Sequence, residues 1–183
     1  RDRLRIELAH AGAPVANAEL LTGPFTALPR PAPFTADPAS RHFPEPRELL
    51  PHAPPMRLLA AIREWTPRGL RGTGLVPAAC ALATGGAAPA LAAVEAAAQA
   101  AAAWEALMRR QEGGDASPRI GYLVGLRDVT LCRASLPAEC EFTVAAELEE
   151  VSLPLTRYRI EAALDGTTVA KGSIATYLAG PAP

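Results

Sequence analysis

Alternation of apolar and polar residues is clearest in the last third of the chain. Phe142, Val144, Ala146 and Leu148 recur with a period of two, as do Tyr158, Ile160, Ala162 and Leu164, the spacing of a strand with one buried face. Strands are expected at 120–131, 141–151, 155–164 and 167–178, with short turns between them. The Asp-Gly pair at 165–166 is a two-residue hairpin signal. Upstream, segments 57–65 and 70–76 read as two more strands joined at TPRG, 66–69. Between these groups, Ala90 to Arg110 consists almost wholly of strong helix formers. Pro89 suits the first helical turn, and the Glu-Gly-Gly at 112–114 suits the stop. Such a helix would run roughly 30 Å. Its polar content is slight on nearly every face, so it should be surrounded by other elements, and its many alanines imply that a sheet backbone approaches closely.

The order is strand, strand, long buried helix, then four antiparallel strands. An α+β hotdog fold, an antiparallel sheet wrapped around one long central helix, satisfies it. Proline divides the chain: 11 of its 19 copies lie between Pro14 and Pro55. Residues 11–46 show no sustained period, and proline forbids a helix or central strand there. We therefore expect a Pro-rich amino-terminal arm or linker over 1–46 and a hotdog domain over 47–179. Phe25, Phe34 and Phe43 could pin the arm to a surface. RDRLRIEL, residues 1–8, carries a weak strand alternation. The chain opens at Arg1 rather than Met, as a processed or shortened piece would.

Composition narrows the function. Of 183 residues, 49% are apolar and 20% charged; 18 Lys and Arg face 19 Asp and Glu, a net charge of −1. Sequence-independent nucleic-acid binding needs a cationic excess, so no nucleic-acid partner is expected. The Ala-rich run 87–106 carries Glu95, Gln99 and Glu105 and is no membrane span. Three cysteines, Cys80, Cys132 and Cys140, fit neither a disulfide framework nor a zinc site; buried thiols in a reducing cytoplasm are the expectation, with no metal and no cofactor.

Two residues stand out as chemistry. Among three histidines, His52 alone lies where the ordered region begins, stiffened by Pro51, Pro54 and Pro55. Glu95 sits early in the helix among alanines and a valine. A carboxylate is costly to bury unpaired, so Glu95 should face a cavity or carry a raised pKa; an exposed Glu–Gln stripe is the alternative. Gln99, one turn on, can hydrogen-bond toward the same cavity. Glu105 reads as a surface residue paired with Arg109.

The run PALAAVEAAAQA resembles the helix start of the 3-hydroxyacyl-[acyl carrier protein] dehydratases: a Pro, a catalytic acid six positions later and a Gln four beyond, here Pro89, Glu95 and Gln99. LLPHAPPMRLL is similar to a family segment whose His is catalytic, matched by His52. GYLVGLRDVTLCRASLP resembles the following strand pair at Tyr122, Gly125, Asp128, Arg133 and Pro137. The likeness spans about 47–178 and is closer to a divergent branch, the dehydratases of bacterial aryl-polyene-type pathways. It implies a lyase that removes water from 3-hydroxyacyl thioesters on acyl carrier protein, in fatty-acid-like, polyene or polyketide biosynthesis. His52 would be the base and a protonated Glu95 the acid, supported by Gln99, Tyr122, Gly125 and Ala90. Backbone N–H groups at the helix start would meet the enolate-like oxygen.

The resemblance further implies a homodimer, or a heterodimer with another hotdog protein, with His and Glu drawn from opposite protomers. An acidic carrier bearing a phosphopantetheine-linked acyl chain would dock near Arg57, Arg109, Arg110 or Arg119. Where the family carries GHFPGxPxMPG before the helix, this chain has ACALATGGAAPA, with Ala90 in place of Gly, and its PGD turn is PAE. An acyl thioesterase and a non-catalytic hotdog subunit remain alternatives.

Overall fold

The period-two segments form the strands expected of them. In the computed structural model, residues 2–22, 43–114, 119–152 and 154–178 are described. The chain divides into two compact units, Arg1–Ala32 and Pro33–Pro183. In the first, β1 (Asp2–His10) pairs antiparallel with β2 (Ala13–Thr22) through a turn at Ala11 and Gly12, both with positive φ. The alternation of residues 1–8 thus marks a real strand. Residues 13–22, expected as part of an extended arm, form its hairpin partner; Pro14 lies beside the irregularity that shifts the register, where a missing backbone donor is tolerated. Phe25, Phe34 and His42 lie outside the described residues.

The second unit holds a six-stranded antiparallel sheet. Its strands are β3 (Leu59–Thr66), β4 (Gly69–Leu75), β6 (Gly121–Leu131), β8 (Glu141–Ser152), β9 (Leu155–Leu164) and β10 (Thr167–Leu178), in the order β3-β4-β8-β9-β10-β6. Phe142, Val144, Ala146, Tyr158, Ile160, Ala162 and Leu164 are all buried, the face that the alternation assigns to the core. That face packs on the helix α1 (Leu91–Gln111). Ala92, Ala93, Ala96, Ala97, Ala100, Ala101 and Ala103 are buried, and their small side chains admit the sheet closely. At Gly74 on β4 even a methyl group would run into the Phe142 ring. This is the hotdog arrangement.

Three differences from expectation matter for the site. Strand β6 does not pair with β8, the next long strand, but crosses to the far edge beside β10, where Tyr122, Leu123, Val124 and Leu126 are exposed. The Gly/Ala/Pro loop before the helix is partly ordered as β5 (Ala87–Pro89), paired with β7 (Ser135–Pro137) in the segment read as a turn. Gly85 and Gly86, φ +60° and +78°, make the hairpin that doubles the chain back, closed by mutual Thr84–Ala87 backbone bonds of 2.7 and 3.1 Å. Pro89 therefore belongs to β5, and the helix begins at Leu91. Finally, α1 is not sheathed on every side: Leu91, Glu95, Ala98, Ala102, Glu105 and Met108 form a stripe that is exposed or half-buried.

Candidate active site

Glu95 is the fifth residue of α1 and stands on that open stripe, its side chain 33% exposed. It is therefore neither sealed in a dry wall nor washed on all sides. His52 lies in the stretch between a 3₁₀ turn at Pro46–Glu48 and β3, and its Nε2 sits 3.7 Å from Glu95 Oε1. Its side chain is 34% exposed, while Nδ1 is buried without a protein partner. Residues 43 positions apart in sequence thus converge within a single chain.

Gln99 explains how the pair is held. One turn beyond Glu95 and only 1% exposed, its Nε2 donates to Glu95 Oε1 and to the Met56 carbonyl, both at 2.9 Å. Its Oε1 accepts from the N–H groups of Leu58, 2.7 Å, and Leu59, 3.1 Å. The buried amide is thus fully used. It orients the carboxylate with one end and ties the chain entering β3 to the helix with the other. Beneath it, the buried Cys80 thiol donates to Met56 Sδ at 3.5 Å. The roles of the Met56, Leu58 and Leu59 backbone leave no side-chain signature, so nothing in the sequence marks them.

The other expected site residues are placed differently. Ala90 caps α1 and is fully buried; its N–H donates to the Ala134 carbonyl at 3.0 Å and is not available to a substrate oxygen. Tyr122 and Gly125 lie on β6, at the opposite sheet edge from β3. Tyr122 is exposed and packs at a tilt on Tyr177, centroids 6.5 Å apart. Gly125 lines a recess of about 140 Å³ with Leu126, Arg127, Arg157, Ser173, Ile174 and Ala175.

Glu105, expected at the surface, is half-buried instead. Its Oε1 accepts from the Tyr158 hydroxyl at 2.6 Å and from Thr176 Oγ1 at 3.0 Å, fastening α1 to β9 and β10. Burial first, and the Glu105 carboxylate second, push the Tyr158 phenol well above its ordinary range. Of the cysteines, only Cys80 is buried; Cys132 and Cys140 are intermediate, and all three are free. Among the described residues no group of three potential metal ligands occurs, and no helix is long and apolar enough to cross a membrane.

A family model, the ApeP dehydratases, matches residues 44–181. The chain belongs to that family. It is accordingly a hotdog-fold dehydratase, a lyase, of the divergent aryl-polyene-type branch that its motifs resemble. The fold is shared with the ApeI:P dehydratase heterocomplex of Xenorhabdus doucetiae: TM-score 0.68 at 21% identity, covering 76% of this chain and 93% of that one. It is shared also with an HP0420 homologue from Helicobacter felis, TM-score 0.53 at 16% identity, covering 79% and 96%. A third likeness is to Cj0977, a sigma28-regulated virulence protein of Campylobacter jejuni, TM-score 0.51 at 13% identity, covering 74% and 88%. The sequence matches no curated protein.

Proposed function

We propose that this dehydratase removes water from 3-hydroxyacyl thioesters carried on acyl carrier protein, with His52 and Glu95 as its proton-transfer pair. The observation that carries the reading is the 3.7 Å approach of Nε2 to Oε1 on an accessible stretch of helix. Elimination needs a base for the proton on the carbon beside the thioester carbonyl and an acid for the departing hydroxyl. His52 takes the first proton. The electrons of that C–H bond form the new double bond as the C–O bond breaks, and Glu95 in its acid form protonates the oxygen, which leaves as water. Gln99 holds Glu95 Oε1, so Oε2 faces the hydroxyl. As the proton leaves, charge builds on the thioester oxygen. With the Ala90 N–H engaged, the exposed Leu91 supplies a helix-start donor for that charge, and the dipole of a 21-residue helix adds to it.

Surface features support the choice of partners. Exposed apolar residues along edge strand β6 suit pairing with a second hotdog chain, and the Xenorhabdus relative is a heterocomplex. Tyr122 and Gly125 serve that edge rather than the acid–base pair. Arg57 and Arg119, both half-buried, are the candidate anchors for an acidic carrier; Arg110 already donates to the Glu48 carbonyl at 2.7 Å. Three free thiols suit a reducing cytoplasm.

The test is mass spectrometry of carrier-bound 3-hydroxyacyl chains of several lengths incubated with the protein. A product lighter by one water supports the reading. Release of free carrier thiol would make it a thioesterase instead. Turnover that appears only with a second hotdog chain and survives loss of His52 and Glu95 would make it a non-catalytic subunit.

A further inference from the structure

Resting on the dehydratase reading above, we infer that Cys80 is a positioning residue for that chemistry. Its buried thiol, bonded to the Met56 thioether, braces the turn that carries His52 and the carbonyl to which Gln99 is tied.

Among the cysteines only Cys80 is buried, at 2% exposure. Its Sγ lies 3.5 Å from Met56 Sδ, and because a thioether carries no hydrogen, the thiol is the donor. Cys140, by contrast, reaches only the carbonyl of its neighbour Glu141. Met56 is where the local backbone converges. Its N–H donates to the Ala53 carbonyl at 2.9 Å, closing the turn directly after His52, and its own carbonyl accepts from Gln99 Nε2 at 2.9 Å. Gln99 in turn donates to Glu95 Oε1. With both main-chain groups committed, the Met56 side chain is the handle by which another element can hold this junction. A methionine side chain is flexible, and the thiol selects one setting of it.

The thiol comes from the loop before α1, where the related dehydratases carry GHFPGxPxMPG. That loop has no His here, yet it is fastened along its length. The Cys80 N–H donates to the Pro77 carbonyl at 2.9 Å, and the Cys80 carbonyl accepts from Ala83 at 2.8 Å. The Glu139 carboxylate accepts from the Ala78 N–H. Glu139 N–H donates to the Val76 carbonyl and Ala138 N–H to that of Gly86, both at 2.9 Å. A thiol on so restrained a loop is a fixed point for Met56. The brace sets the turn itself, so it acts whichever subunit's carboxylate His52 serves.

Water loss from a carrier-bound 3-hydroxyacyl chain is measured for Cys80→Ala, Cys80→Ser, Met56→Leu and the Cys80→Ala, Met56→Leu double variant, with folding checked by circular dichroism. Each of Cys80→Ala and Met56→Leu should lower kcat about 3–10-fold while KM stays within about twofold. The double variant should lose no more than the worse single one, since both remove the same bond. Cys80→Ser keeps a donor and should recover most of the loss. Met56→Leu conserves volume and carries the test should Cys80→Ala fail to fold. A packing role alone would lower the melting temperature and leave kcat of the folded enzyme at the wild-type value. That result, or losses that multiply in the double variant, would overturn the inference. A wild type that dehydrates no thioester would count against the function instead, and the brace would then be read by NMR. The His52 ring signals, assigned through His52→Ala, should move in folded Cys80→Ala and return toward wild type in Cys80→Ser. Ring signals unmoved in folded Cys80→Ala would refute the brace.

Discussion

Two carboxylates on one helix, Glu95 and Glu105, have opposite fates. Glu95 faces an imidazole and accepts from a single amide at its Oε1, with a third of its side chain open. Glu105 accepts from a fully buried tyrosine and a threonine on two neighbouring strands. The first leaves one oxygen and a third of its side chain open; the second joins helix and sheet. An acid among alanines is therefore not by itself a catalytic signal. What decides is whether its partners belong to the fold or leave room for a substrate.

The contrast breaks most sharply by exchanging each acid for its amide. Glu95→Gln, and likewise His52→Ala, should lower kcat on the order of 10²–10⁴-fold with an unchanged melting temperature. Glu105→Gln should leave kcat within a few-fold and lower stability instead. Steady-state rates and calorimetry on the same preparations check both. A Glu105→Gln enzyme as dead as Glu95→Gln would erase the distinction.

Next in size is Gln99→Leu, which strands the Leu58 and Leu59 amides and frees Glu95. It should cost about 1–3 kcal/mol for each buried donor left unpaired, and lower kcat more than it raises KM. Denaturant midpoints and kinetics separate the two effects. If only stability moves, Gln99 does not position the acid.

Tyr158→Phe should destabilise by about 1–3 kcal/mol without touching turnover, since it removes one donor from Glu105. It also changes the alkaline limb. Burial raises the Tyr158 phenol above its ordinary 10.0, so the folded state keeps a proton that the unfolded state surrenders. Stability is then fully present below pH 10 and falls as pH rises beyond it. Urea midpoints between about pH 9 and 11 should decline less steeply in Tyr158→Phe than in wild type. An equal decline would show that Tyr158 titrates normally.

The smallest effect expected is at Glu139, whose φ of +58° places it in left-handed backbone and whose carboxylate accepts from the Ala78 N–H. Glu139→Gly relieves the backbone but loses the bond, so its melting temperature should shift by only a few degrees.

Much of this architecture could be read from residue order. Alternation and turn signals together mark the six long strands of the sheet within a residue or two, Asp165-Gly166 marks a hairpin, and the alanine run marks the helix. The β5–β7 ladder leaves no sequence pattern, because three residues are too few to show a period. Residues 13–22 show none either, because Pro14 and scattered alanines mask a strand whose partner lies across a tight turn. Spacing singled out His52, Glu95 and Gln99, but it could not reveal that the first two meet within one chain, since that depends on backbone amides at 58 and 59 that any sequence would possess. Glu105 reads as a surface residue for a related reason. Its i, i+4 neighbour Arg109 is visible in sequence, whereas Tyr158 and Thr176 reach it only once the sheet has closed.

The most direct measurement is the mass of a carrier-bound 3-hydroxyacyl chain after incubation with wild type, Glu95→Gln and Glu105→Gln in parallel. The account predicts loss of one water with wild type and Glu105→Gln, and an unaltered substrate with folded Glu95→Gln. Undiminished water loss by Glu95→Gln would contradict it.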